Sequence, residues 1–174
     1  MAGFVIDPNE DDGGGGGGGY AARPKLTAGE KTLWAAAFKY VTSSRGTAGI
    51  EVMFVCVEGD ESRAYVWDTF WLTQAAAFRL KAYSRAVGRS TPWHPEEQEE
   101  AANVLLSVPI SANITLKEQD NGTKRPEVGG YAPYAGDVSD TMEQIVADAE
   151  AHWRKMNPSE AGGDGGFSDD DIPF

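Results

Sequence analysis

Hydrophobic and polar residues alternate in several segments of the chain, which is the pattern of half-buried β-strands. Residues 34–41, 50–57 and 63–72 are rich in aromatic and β-branched residues, and short polar segments that contain glycine separate them. They predict three strands joined as a meander. Residues 109–119 alternate most regularly, and residues 123–134 can return as a fifth strand after an Asp-Asn-Gly turn. A proline within this last segment favours an edge position.

Helical periodicity appears later in the chain. Residues 74–87 consist of good helix formers and are followed by a glycine, which predicts a helix directly after the third strand. Residues 96–106 predict a short acidic helix or an irregular crossing. A clearer amphipathic helix, capped by Ser139 or Asp140, is predicted to extend to Met156. Its apolar stripe consists of Met142, Ile145, Val146, Ala149, Trp153 and Met156. We expect this stripe to pack on the sheet, and an oligomer contact is the alternative.

Five strands with a helix after the third strand are the element order of an OB-fold barrel. The sequence therefore predicts a mainly β fold: a five-stranded OB-like barrel with a helix after strand 3, an added C-terminal helix and disordered tails. An open α+β sheet is the alternative, because hydrophobic pattern alone does not show whether a barrel closes.

Glycine content and charge divide the chain into four parts. Residues 1–19 contain seven consecutive glycines, so we expect a disordered acidic N-terminal tail. Residues 20–136 form the OB-like domain, a length that suits a single hydrophobic core. Residues 137–157 form the C-terminal amphipathic helix. Residues 158–174 are rich in glycine and aspartate and predict a second disordered acidic tail.

The charge of the chain is unevenly distributed. The formal net charge is −12, which by itself disfavours a nucleic-acid ligand because phosphate binding requires clustered lysine and arginine. However, the two tails contain nine acidic residues and no basic one. Residues 20–94 contain ten basic and six acidic residues, so the first half of the domain is basic.

Several function classes find no support in the sequence. The single cysteine, Cys56, excludes an internal disulfide and a cysteine-rich zinc site, and the two histidines have no metal-ligand spacing, so we expect neither metal nor cofactor. We also expect no enzyme activity, because the only weak alternative is a Mg²⁺ site made by Glu51 and Asp68. No apolar run is long enough for a membrane span and no secretory signal is recognisable, which favours a cytoplasmic protein.

Aromatic residues interleave with lysine and arginine in the first half of the domain, as expected of a protein that binds single-stranded nucleic acid. Tyr65, Trp67 and Trp71 share one face of the third strand, so we assign them to base stacking. Core packing is the alternative for each aromatic residue. Arg45 in the first turn and Arg63 at the start of the third strand are candidate phosphate contacts. The complete candidate set is Lys39, Tyr40, Arg45, Arg63, Tyr65, Trp67, Trp71, Lys124 and Arg125.

The sequence ends in Asp-Asp-Asp-Ile-Pro-Phe, which resembles the acidic C-terminal tip of bacterial single-stranded DNA-binding proteins. The body resembles phage-type single-strand-binding proteins in three segments, "KYVTSSRGTAGIEVMFVCVEGD", "AYVWDTFWLT" and "AAAFRLKAYSRAVG". The resemblance implies an OB-fold that binds single-stranded DNA and a tip that binds partner proteins. The partner-binding residues would be Asp169, Asp170, Asp171, Ile172, Pro173 and Phe174.

The chemistry of the tip is consistent with protein binding. A terminal phenylalanine with its carboxylate fits a small apolar pocket with a basic rim, and a single tip should bind with an affinity on the order of micromolar. We therefore expect a sequence-tolerant single-stranded DNA-binding protein, acting in phage DNA replication, recombination or repair in the host cytoplasm. The partners would be single-stranded DNA and the replication or repair proteins that dock on the tip. The alternatives are an adaptor that binds no DNA, and a recombination annealing factor, which would need to form a homo-oligomer.

Overall fold

The computed structural model describes residues 24–158, and the expectations made for the two tails lie outside these described residues. The strands are β1 (Gly29–Thr42), β2 (Ala48–Cys56), β3 (Tyr65–Trp71), β4 (Ile110–Glu118) and β5 (Lys124–Pro133). The helices are α1 (Ala77–Ala86), α2 (Gln98–Leu105) and α3 (Asp140–Met156). The strands form one antiparallel sheet in the order β3-β2-β1-β4-β5. The predicted five strands, the helix after the third strand and the C-terminal helix are thus confirmed.

Strand β1 is the centre of the sheet and is longer than predicted. Its first five residues pair with β4, from Gly29 opposite Ile114 to Leu33 opposite Ile110. Its later part pairs with β2, and the register shifts by one residue between Ala35 and Ala37. A bulge of this kind bends a strand and increases its twist. One strand can therefore contribute to both halves of the curved sheet.

Side chains, rather than a hydrogen-bond ladder, connect the two edge strands β3 and β5. The Tyr131 hydroxyl on β5 donates a hydrogen bond to Asp68 on β3. Arg79 on α1 donates to Asp68 at 2.8 Å and to the carbonyl oxygen of Val128 at 3.0 Å. The rings of Phe70 and Tyr131 lie 5.7 Å apart between their centroids. The sheet therefore curves far enough for its edges to meet through side chains, while the described strands are not closed by hydrogen bonds.

One face of the sheet forms the main core, which α1 and α2 cover. Tyr83 on α1 is fully buried there and donates a hydrogen bond to the carbonyl oxygen of Leu105 at 2.6 Å. Its ring packs against Phe54 and Phe70. Burial raises the pKa of Tyr83 well above its usual range, so this hydroxyl stays protonated and donates.

Helix α3 packs on the opposite face of the sheet. The Ser139 side chain accepts a hydrogen bond from the backbone nitrogen of Met142 at 3.2 Å, which confirms one of the two predicted caps. Of the predicted apolar stripe, Met142, Ile145, Ala149 and Trp153 are buried. They pack with Trp34, Ala36, Ala37, Met53, Val55 and Val57 of the sheet. These four residues thus pack on the chain's own sheet, Val146 is partly buried beside them, and Met156 is 46% exposed. Among residues 24–158, none of the helices combines the length and apolar character needed to cross a membrane.

Candidate nucleic-acid interface

Helix α3 covers only part of the outer face of the sheet. The remaining part, called the open face below, consists of Lys39, Gly49, Glu51, Trp67, Thr69 and Trp71. Lys39 borders α3, because its Nζ lies 3.3 Å from Oδ1 of Asn157 and 5.8 Å from the centre of the Trp153 ring. Register explains this grouping, because Trp67 lies opposite Met53, Thr69 opposite Glu51 and Trp71 opposite Gly49. Paired residues of antiparallel strands project to the same face. Trp67, Thr69 and Trp71 therefore lie in a row along the edge strand β3.

The two tryptophans of the open face are accessible to different degrees. Trp67 is 43% exposed, an unusual fraction for a large aromatic residue. The ring of Tyr65 meets it edge-on, with 6.0 Å between the centroids. Trp71 is half-buried because its indole lies across Gly49 on β2. A Cβ atom on Gly49 would lie only 2.6 Å from Cε3 of Trp71, so glycine permits this close packing.

Replacing Gly49 by alanine should displace the Trp71 indole and destabilise the fold. The new methyl group would also lie 3.3 Å from the carbonyl oxygen of Phe70, which leaves it little room to move. Overpacking of this kind costs about 1–3 kcal/mol. Urea unfolding measures the loss, and tryptophan fluorescence reports the movement of the indole. The Gly130→Ala variant is a control, because a Cβ atom on Gly130 meets nothing within 4 Å. Equal stability of the two variants would contradict the expected crowding.

Two cations of the predicted set already have acidic partners. Arg63 donates to Asp148 on α3 at 2.9 Å, and its hydrogen bond lowers the pKa of Asp148. Lys39 lies 3.9 Å from Glu51, within the open face. By contrast, the side chain of Arg45 is exposed in the β1–β2 turn and has no acidic partner among residues 24–158. Arg45 is therefore more available to a phosphate than Lys39 and Arg63 are.

The two predicted tyrosines occupy different positions. Tyr65 is half-buried beside α3, with its ring centroid 5.4 Å from that of His152. It supports Trp67 from the side. Tyr40 lies opposite Ile50, a core residue, and so belongs to the other face of the sheet. Its hydroxyl donates to the carbonyl oxygen of Pro95 at 2.8 Å.

The remaining predicted cations lie on the other edge strand. Lys124 and Arg125 begin β5, opposite Glu118 and Lys117 of β4. Arg125 lies 3.2 Å from Glu127 in an exposed ion pair. The structure therefore groups Trp67, Trp71 and Lys39 on one surface, and it places Lys124 and Arg125 at the separate β4–β5 hairpin.

The alternative of a Mg²⁺ site made by Glu51 and Asp68 is wrong, because the two side chains project to opposite faces of the sheet. Asp68 lies opposite Val52 rather than Glu51, so it projects to the interior face, where it binds Arg79 and Tyr131. Glu51 projects to the open face. No group of three or more potential metal ligands occurs in the part of the chain from residue 24 to residue 158.

A cavity of about 300 Å³ adjoins the open face and was not predicted. It lies between the end of β3, the start of α1 and the connector that precedes α2. Its lining consists of Trp71, Leu72, Thr73, Gln74, Ala77, Leu80, Pro95 and Glu96. No sequence signal indicates it, because the fold brings residues 95 and 96 next to residues that are distant along the chain.

The chain matches no model of a known protein family, and a comparison with curated proteins finds no match either.

Proposed function

We propose that the chain binds single-stranded DNA on its open face and recruits replication, recombination or repair proteins through its terminal Asp-Asp-Asp-Ile-Pro-Phe segment. The observation that carries the proposal is the pair of tryptophans in one row, Trp67 and Trp71, on a part of the sheet that helix α3 does not cover. Aromatic side chains on such a surface can stack with bases of any sequence.

The dimensions of the row suit a single strand. Trp67 and Trp71 are four residues apart on β3, so their Cα atoms are separated by about 13 Å. Bases splayed from one strand can therefore meet both rings in succession. A duplex keeps its bases stacked and paired, so it presents no free base faces to these rings. The geometry thus supports a preference for unpaired nucleic acid.

The position of the row within the fold also supports the proposal. If β3 and β5 were joined, the order β3-β2-β1-β4-β5 would form a closed five-stranded barrel, and side chains already link these two edges. OB-folds bind oligonucleotides on the face of strands 2 and 3. The open face contains Gly49 and Glu51 of β2 and the row of β3, so in an OB-fold it would be that face.

Fluorescence anisotropy with a labelled single-stranded oligonucleotide tests the proposal. The full chain should bind the single strand more tightly than the corresponding duplex. Affinity should fall as salt rises, because phosphate contacts from residues such as Arg45 release counterions. Absence of binding at every salt concentration would overturn the proposal.

An adaptor that binds no DNA is the second candidate, and one observation favours it. Lys39 and Arg63, two cations of the predicted DNA-binding set, are already paired with Glu51 and Asp148. Such pairing leaves less positive charge for phosphates. The salt titration separates the candidates, because an adaptor would show no oligonucleotide binding while a tip-binding partner protein would still bind the full chain.

Removal of residues 158–174 should tighten binding of single-stranded DNA at low salt. This segment contains five acidic residues and no basic one, so it can compete with phosphates for the cations of the domain. The effect should fade at high salt, where the charges are screened. Oligonucleotide affinity of the truncated and full chains, measured across salt concentrations, checks this expectation. Equal affinities at low salt would exclude the competition.

A further inference from the structure

We propose that the cavity between β3 and α1 holds one base of the bound strand and that guanine fits it best. This inference rests on the proposed function, because the cavity lies next to the open face. It adds a site that selects one base within a surface that otherwise tolerates any sequence.

The cavity continues the row of tryptophans. Trp71 belongs to both surfaces, since its indole lies over Gly49 on the open face and the residue also lines the cavity. A strand that follows β3 from Trp67 past Trp71 therefore reaches the cavity next. This continuity identifies the occupant as part of the same bound strand.

The walls of the cavity suit a flat ring. Trp71, Leu72, Ala77, Leu80 and Pro95 provide apolar and aromatic surface. The volume, about 300 Å³, is at the small end of the range for sites that enclose organic ligands. A phosphate would lose hydration against such walls without gaining a cation, whereas a base gains stacking and apolar contact.

The polar groups of the lining determine which base fits. The Gln74 amide and the Glu96 carboxylate have no hydrogen-bond or ion-pair partner among residues 24–158. Glu96 also lies near Tyr40, because the Tyr40 hydroxyl donates a hydrogen bond at 2.8 Å to the carbonyl oxygen of Pro95, the residue before Glu96. An ionised carboxylate only accepts hydrogen bonds. Guanine presents two adjacent donors, N1–H and the N2 amino group, that match the two oxygens of a carboxylate.

The first test fills the cavity. The Ala77→Leu variant places a larger side chain in the lining, while Ala75→Leu makes the same change at an exposed neighbour that is not part of it. We expect Ala77→Leu to weaken binding of a guanine-containing oligonucleotide about tenfold, the loss of one stacked base. Ala75→Leu should bind as the unchanged chain does. Thermal unfolding of both variants shows that the fold is retained.

The second test changes the ligand by one group. The probes are two oligonucleotides of thymidines that carry a single guanine or a single hypoxanthine, which lacks only the N2 amino group. The full chain should bind the guanine probe about tenfold more tightly, as expected for a paired hydrogen-bond contact. Glu96→Gln should remove most of this difference, since one acceptor oxygen replaces two and the charge is lost. Glu97→Gln is the matched control and should retain the difference.

The outcomes separate this inference from the proposed function. If the chain binds both probes equally and Ala77→Leu binds as tightly as Ala75→Leu, the cavity site is wrong while single-strand binding stands. If the chain binds neither probe, both proposals are overturned. A guanine preference that Glu96→Gln removes and Glu97→Gln retains establishes the cavity site, even if Ala77→Leu fails to fold.

Discussion

Replacing Trp67 by alanine should weaken the affinity for a single-stranded oligonucleotide by a factor of about 5 to 150. Each base stacked on an aromatic side chain contributes about 1–3 kcal/mol, and the variant removes one such contact. The fold should be retained, because Trp67 is 43% exposed and contributes little to the core. Fluorescence anisotropy at a fixed, low salt concentration measures the loss.

An exposed aromatic residue elsewhere provides the matched control for this prediction. Phe78 on α1 is 67% exposed and does not belong to the open face. The Phe78→Ala variant should therefore bind the oligonucleotide as tightly as the unchanged chain. If both variants lost affinity equally, the contribution of an exposed aromatic residue would not depend on its position in the fold. If Trp67→Ala lost no affinity, the row of tryptophans would not belong to the DNA-binding surface.

Replacing Asp68 by alanine should lower the free energy of unfolding by about 2–4 kcal/mol. The variant leaves the half-buried guanidinium of Arg79 without its carboxylate partner, and it leaves the Tyr131 hydroxyl without an acceptor. Asp68 also influences the pKa of both groups. Its hydrogen bond raises the pKa of Arg79, and the pKa of Tyr131 is raised mainly by burial and further by the charge of Asp68. Urea unfolding followed by circular dichroism measures the change.

Two further variants make the Asp68 prediction specific. Glu127→Ala breaks the exposed ion pair with Arg125 and should change stability by less than about 1 kcal/mol. The double variant Asp68→Ala with Arg79→Met removes the unpaired charge as well, so it should recover part of the loss. If Asp68→Ala were as stable as Glu127→Ala, the side-chain link between the edge strands β3 and β5 would have no structural importance.

The hydrophobic pattern predicted which strands and helices form, but it predicted less accurately where they begin and end. Helix α1 begins at Ala77 rather than at residue 74. The Thr73 hydroxyl accepts a hydrogen bond from the backbone nitrogen of Ala76, so residues 74–76 form a capped turn ahead of the helix. Strand β1 begins at Gly29, before the predicted residue 34. This early part is a strand because β4 supplies hydrogen-bond partners, which local sequence does not show.

The alternation of side chains along a strand predicted which candidate residues share a face, but not which of them are accessible. The period of two places Tyr65, Trp67 and Trp71 on one face of β3. It contains no information about what covers that face. Helix α3 lies beside Tyr65 and leaves Trp67 exposed, so neighbours on one strand face have different environments.

The sequence by itself determined the set of strands and helices and which residues share a face of each. Side-chain periodicity is a local property, so it does not depend on which element packs against that face. The sequence specified the five strands, the two main helices, a cap at Ser139 or Asp140 and the shared face of the β3 aromatics. Only the tertiary structure decided how α3 divides the outer face, that Asp68 joins Arg79 and Tyr131, and that Glu96 meets Trp71 at one cavity. These contacts join residues far apart in sequence, so they depend on strand order and sheet curvature rather than on any local pattern.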